Sequence, residues 1–260
     1  MHLKDKVALV TGAAGDRSIG WGIAQALAAA GATVALNDLP TREAELKARV
    51  QTLQDRQQSA FTAAADITDP DEVHRMMEEI TATAGRLDVA CSNAGMIRWQ
   101  HFLEITPNIL SKQVALNVKG SMYVCRAAAK QMIAQGEGGQ IIVTSSIQTY
   151  LHFPITPVYG GTKHAQHIFV GALALELAPH NITVNHIGPG WVQTAMNDTS
   201  PELQTAEAIE NQKAAIPMHR AGTTNEMADA ALYFTKPEAA YTTGAFIAVD
   251  GGLGIGKYTA

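Results

Sequence analysis

Tyr159 and Lys163 stand four residues apart in YGGTK, a spacing that on a helix puts a phenol and an ammonium on one face, a turn apart. That pair suits proton transfer. A phenol with a pKa near 10 is poorly matched to acid–base work at neutral pH, whereas an ammonium within about 4–6 Å stabilises the phenolate and lowers that pKa. The spacing also arises by chance, so its weight comes from its neighbours. Thr144-Ser145-Ser146 lies just upstream and offers a hydroxyl to an oxygen on which charge develops. Asn93-Ala94-Gly95, Asn117 in LNVKG, Pro189-Gly190 with Thr194, and Asp250-Gly251-Gly252 complete the set.

A second constellation is TGAAGDRSIGWGIA, from Thr11 to Ala24. A β-branched run enters Gly12 and a helix begins near Ile19, so the backbone N–H groups between them can face a pyrophosphate at a helix N-terminus. The next β-branched run ends at Asn37-Asp38, where a carboxylate can accept hydrogen bonds from the ribose hydroxyls of an adenosine. The turn is long, with Asp16, Arg17 and Ser18 intervening before Gly20.

These residues need a scaffold that gathers them. KVALVT from Lys6, ATVALN from Ala32, QIIVTS from Gln140, NITVNHI from Asn181 and AFIAVD from Ala245 read as strands. Between them, GIAQALAAAG, DEVHRMMEEITATAG and KHAQHIFVGALALELA have helical periodicity, and a helix is also expected from about Leu110 to Ala134. The alternation predicts an α/β fold: one Rossmann-like domain over residues 1–260, a doubly wound parallel sheet with helices on both faces. Ligands bind such sheets outside the carboxyl ends of the strands, where each motif above falls.

Composition narrows the function. A net charge of −5 with scattered basic residues excludes a nucleic-acid footprint, and no apolar run approaches the roughly 18 residues of a membrane span. A strand begins within a few residues of Met1, which argues against a signal peptide, so a cytoplasmic protein with a small-molecule substrate is expected. Cys91 and Cys125 lack CxxC spacing and read as buried thiols. The nine histidines, His164 and His167 among them, lack an accompanying carboxylate cluster, so no metal is expected.

Taken together and in this order, the motifs resemble the short-chain dehydrogenase/reductase family along essentially the whole chain. The resemblance implies Tyr159 as catalytic acid/base, Lys163 as its partner and a holder of the nicotinamide ribose, and Asn117 as part of a proton relay. It also implies Ser146, thirteen residues before the tyrosine, as the donor to the substrate oxygen. Gly12, Arg17, Ser18, Ile19, Gly20, Asp38, Asp66, Ile67, Asn93, Ala94, Gly95, Pro189, Gly190, Val192 and Thr194 are implied to bind the dinucleotide together with Tyr159 and Lys163. A dimer face on two long helices and a homotetramer follow from the same likeness.

The glycine loop departs from the family's TGxxxGxG, because Gly12 and Gly20 are eight positions apart rather than six and Ser18 replaces the middle glycine. This resembles the loop of the family's enoyl reductases, which pair their tyrosine with a lysine seven positions later. Here that position is Gln166, so carbonyl chemistry takes precedence. Asp38 favours NAD, and Arg17, near where NADP-dependent relatives carry a basic residue, leaves NADP as a secondary cofactor. SSIQTYLHFPITPVYGGTK, NHIGPGWVQT, Pro217-Met218 and the DGG are similar to the bacterial glucose-dehydrogenase branch. With Gln148, His152, Arg98 and Trp191 placed near the substrate, the expected reaction converts a secondary alcohol of a sugar or polyol to a ketone or lactone. The alternatives are a reductase of acyl-carrier or other hydrophobic ketones and a non-catalytic nucleotide-sensing or scaffold protein.

Overall fold

Val7–Thr11 is buried at all five positions, the pattern of a strand covered on both faces. The computed structural model describes residues 1–199 and 204–256 and makes this run β1 of a seven-stranded sheet. The others are β2 (Thr33–Asn37), β3 (Ala60–Thr62), β4 (Val89–Ser92), β5 (Gly139–Thr144), β6 (Ile182–Pro189) and β7 (Phe246–Val249). Their order is β3-β2-β1-β4-β5-β6-β7 and every neighbouring pair is parallel.

Side chains alternate across the sheet as the pleat requires. Ala8 and Val10 enter one core with residues of α1 (Ile19–Ala29), α2 (Glu43–Gln54) and α8 (Thr224–Tyr233). Val7 and Leu9 enter the other, with α3 (Pro70–Ala84), α5 (Ser121–Gln135) and α6 (Pro157–Leu177). Among the described residues the remaining α-helices are α4 (Pro107–Val114) and α7 (Ala206–Ala215). Cys91 and Cys125 are free and fully enclosed, one in each core, and burial pushes both thiols up to about 12.

The helix expected from about Leu110 begins earlier and is not uniform. α4 runs into a wider π turn, Ala115–Gly120, which leads into α5. Such turns displace backbone groups from the regular ladder and recur at functional sites. Asn117 sits in its middle, fully buried.

β1 lies between β2 and β4, so the chain order reverses at the β1/β4 seam and a crevice opens at their carboxyl ends. At the amino ends the same two strands are tied by buried Asp88, which accepts from Val7 N at 2.9 Å, Lys6 Nζ at 2.9 Å and Arg86 Nε at 2.7 Å. Burial alone would raise its pKa, but the hydrogen bonds from Arg86, Val7 and Lys6 outweigh it and hold the carboxyl below its ordinary value. A depressed folded pKa stabilises the fold above the unfolded value of 3.8 and ceases to as the pH falls through the folded one. Asp88→Asn is therefore expected to cost about 2–3 kcal/mol in urea unfolding at pH 7. The gap between variant and parent should close as the pH is taken below the ordinary carboxylate range.

Candidate active site

The crevice is stitched by Thr11, the last residue of β1. Its hydroxyl oxygen accepts from Asn93 N at 2.9 Å and Ala94 N at 3.0 Å, while Asn93 Nδ2 donates to Thr11 O at 2.9 Å. Gly12 follows with φ +70°, where a Cβ would stand 2.9 Å from Ala94 Cα, so this crossing requires glycine. The expanded loop then closes on itself. Ser18 is the N-cap of α1, accepting from Trp21 N at 3.0 Å, and its hydroxyl donates to Gly15 O at 2.8 Å. That hydrogen is thus committed to the loop, and the anion-facing donors are the backbone N–H groups at the start of α1. Arg17, in the extra segment, reaches across to Asp198 at 2.6 Å, and its carbonyl accepts from Ala195 N at 3.1 Å.

Asp38 follows β2, and its Oδ2 accepts from Ala14 N at 3.0 Å and Arg42 Nη1 at 3.3 Å. The anticipated carboxylate therefore comes with a guanidinium that sequence reasoning missed. Asp66 caps its own turn, accepting at Oδ1 from Thr68 N and Thr68 Oγ1.

Across the crevice, Ser146 heads the short turn Ile147–Thr149 and accepts from Gln148 N at 3.1 Å. Its hydroxyl faces that of Tyr159 across the cleft and favours the phenolate. Ser145 instead turns back to donate to Lys163 O at 3.2 Å. α6 starts with Pro157 in its first turn and places Tyr159 and Lys163 one turn apart, with Lys163 Nζ 5.5 Å from the centroid of the Tyr159 ring. Lys163 is 3% exposed and donates to Thr144 O at 2.8 Å and Gln166 Oε1 at 3.1 Å. Burial raises Tyr159 to about 12, against the Ser146 hydrogen bond, and lowers Lys163 to about 7. Phenolate and ammonium each offset the other's desolvation, so the charged pair forms best as a unit.

Asn117 lies behind this wall. Its side chain pairs with the backbone of Met96, Oδ1 accepting from N and Nδ2 donating to O, both at 2.8 Å, and donates to Thr162 Oγ1 at 3.0 Å. Its carbonyl is linked to the lysine through Gln166, accepting from Gln166 Nε2 at 2.7 Å.

A cleft of about 1020 Å³ joins these parts. Every implied cofactor residue lines it except Gly20, which packs beneath the loop with its Cα hydrogen facing Gly12 O. A glycine-lined anion cradle, a carboxylate after β2 and a basin beside Tyr159 are the features a nicotinamide dinucleotide needs, so the residues fit that group. At the far end Ser146, Gln148 and Trp191 line the cleft, while Arg98 and His152 are exposed and do not. Met96, Ile97, Trp99, Leu116, Phe153 and Met196, which sequence reasoning did not name, supply much of that wall. Leu116 sits in the π turn, and only loop positions after β4, β5 and β6 could have suggested the others. Asp250 closes the turn after β7, accepting from Gly252 N and Gly254 N.

A family model described as enoyl-(acyl carrier protein) reductase matches residues 12–254. Among curated proteins, the chain is 34% identical to the L-rhamnose-1-dehydrogenase of Scheffersomyces stipitis over 253 residues, 96% of each chain. It is 35% identical to a versicolorin reductase of Emericella nidulans over 260 residues, again 96% of each. A solved gluconate 5-dehydrogenase from Burkholderia cenocepacia, in complex with NADP and tartrate, superposes with a TM-score of 0.91 at 28% identity, covering 98% of this chain and 97% of that one.

The crowding at Gly20 makes the cradle testable. A Cβ there would meet Gly12 O and, at 2.6 Å, Asn93 Nδ2. Gly20→Ala is expected to destabilise the fold by about 1–3 kcal/mol and to weaken NADH binding by roughly tenfold or more, one decade per 1.4 kcal/mol. Thermal unfolding and fluorescence titration with NADH read the two effects separately.

Proposed function

This chain belongs to the short-chain dehydrogenase/reductase family and is an NAD(P)-dependent oxidoreductase acting on CH–OH groups; from that premise we propose that Tyr159 is the proton-transfer group of a dehydrogenase for a sugar or polyol. The observation that carries this is the meeting of Ser146, Tyr159 and Lys163 at the inner end of one cleft. The bound dinucleotide supplies the hydride acceptor in oxidation and the hydride donor in reduction. In oxidation the substrate's hydroxyl proton passes to Tyr159 as the carbinol carbon gives up its hydrogen as hydride, leaving a ketone or lactone. Lys163 holds positive charge beside the ring and so favours the phenolate that accepts the proton. Ser146, fixed by Gln148 N, directs its hydrogen to the oxygen on which charge develops.

The sugar reading is supported by the likeness to an L-rhamnose dehydrogenase and by Gln148 on the wall, with Trp99, Phe153 and Trp191 as ring-sized faces. A mostly apolar wall with a few placed polar groups is ordinary for a small-molecule site. That same wall, with Arg98 and His152 outside it, favours a second reading: an extended, apolar ketone, in line with the likeness to a versicolorin reductase. The comparison of kcat/KM for L-rhamnose, other aldoses and polyols against aryl and alkyl ketones and acyl thioesters decides. Higher values for the ketones or thioesters would end the sugar reading and leave the oxidoreductase standing.

The chain is further proposed to act as one domain in a cytoplasmic homotetramer. Ile168 and Leu175 on α6 and Met122 and Ile133 on α5 are exposed apolar residues that such an assembly would cover. Among the described residues no helix is long and apolar enough to cross a membrane.

Two predictions follow from the site's charges. Tyr159→Phe should lower turnover by about 10²–10⁴-fold and leave NADH affinity nearly unchanged, as steady-state kinetics and NADH titration would read. For the cofactor, a 2′-phosphate about 4 Å from Asp38 is disfavoured by roughly 4 kcal/mol at an effective dielectric of 20, while Arg42 beside it offsets part of that. NAD+ should therefore give the higher kcat/KM, Asp38→Ala should narrow the preference and Arg42→Ala should widen it. A higher kcat/KM with NADP+ in the parent would refute the NAD assignment.

A further inference from the structure

Behind Lys163 the structure places a fully buried amide. Gln166 lies one turn further along α6, is 1% exposed, and bridges two groups from different elements. Its Oε1 accepts from Lys163 Nζ at 3.1 Å, and its Nε2 donates to the carbonyl of Asn117 in the π turn at 2.7 Å. The orientation is dictated by chemistry, since an ammonium has only donors and a carbonyl only lone pairs. Turning the amide round would set donor against donor and acceptor against acceptor.

Lys163 Nζ has a second fixed contact, Thr144 O at the end of β5, so two of its three hydrogens are held by the protein. The third is left for the cleft, on the side of Tyr159 and Gly95. Asn117 is pinned as firmly, its side chain on Met96 and Thr162 and its carbonyl on Gln166. A water between Lys163 and Asn117 could make the same two contacts, but it would rotate and exchange. A glutamine packed into the helix does neither.

We propose that Gln166 is a positioning residue: by joining the Lys163 ammonium to the Asn117 carbonyl it fixes the ammonium beneath Tyr159 and couples α6 to the π turn. Gln166 touches neither the cleft nor the reacting atoms, so it acts through Lys163. The inference rests on the reading of Lys163 as the partner of Tyr159, and its primary test needs no substrate.

That test is an NMR titration of ¹³C-labelled lysine side chains, with the Lys163 signal assigned by its absence in Lys163→Met. Gln166→Met keeps length and volume and removes both hydrogen bonds. Losing an acceptor that stabilises the ammonium should lower the Lys163 midpoint by about half a unit or more, a shift that a merely packing role would not produce. In the parent, the Gln166 side-chain NH₂ should exchange with solvent at least roughly tenfold more slowly than exposed glutamine amides. This second readout stands even if the variant does not fold. With the best alcohol substrate and NAD+, the acid limb of kcat should move to higher pH in Gln166→Met, because a less stable ammonium lends less to the phenolate. An unmoved Lys163 midpoint, or Gln166 NH₂ exchange as fast as that of exposed glutamines, overturns the bridge. A moved midpoint with an unmoved acid limb overturns the positioning role. Failure of every alcohol to turn over would contradict the dehydrogenase reading and leave the titration result intact.

Discussion

The Thr11 hydroxyl holds the β1/β4 seam at the point where strand order reverses, and the rest of the site is referred to it. One oxygen accepts two backbone N–H groups, those of Asn93 and Ala94, and so sets how far apart the two strand ends stand. Left unpaired in the interior, each such donor would cost about 1–3 kcal/mol. With the seam fixed, Gly12 can cross against Ala94, α1 starts with its N-terminus toward the crevice, and the Asn93–Gly95 backbone becomes a floor of the cleft beside Lys163. The two extra residues of the glycine loop do not disturb this geometry. They are gathered by Ser18 and turned outward, where the Arg17 carbonyl and guanidinium meet the segment after β6.

Burial at the start of α6 would strengthen the proposed chemistry and also makes its charges costly. Removal from water pushes Lys163 toward the neutral amine and Tyr159 toward the neutral phenol. The same low dielectric strengthens the interaction of an ammonium with a phenolate once both form. The structure therefore surrounds the ammonium with neutral acceptors, the Thr144 carbonyl and the Gln166 amide, rather than with a carboxylate that would compete with Tyr159 for its charge.

How much of this was legible in the sequence depends on the kind of signal. Fully apolar β-branched runs and spaced glycines report backbone environment directly, so the parallel sheet, the crevice and most of the residues that line it could be read. Family spacing pointed to Ser146 rather than Ser145, and in the structure Ser145 donates to Lys163 O. The π turn left no trace, because the helical apolar period runs through it. Asn117 was expected only as part of a proton relay, and in the structure its carbonyl is tied to Lys163 through Gln166. Arg98 and His152 lie on loops close in sequence to the site, yet side-chain direction on a loop is set by contacts that one sequence does not reveal. Arg42 escaped notice because its relevance depends on the turn that returns it to Asp38. Gln166 was read only as the lysine it is not.

The most direct test of the account is a crystal structure of the protein with NADH. The account predicts the pyrophosphate against the N-terminal N–H groups of α1, the adenosine ribose beside Asp38, and the nicotinamide ribose within hydrogen-bonding reach of Tyr159 and Lys163. A dinucleotide bound outside the β1/β4 crevice, or bound within it with Lys163 turned away from both Tyr159 and the ribose, would contradict it.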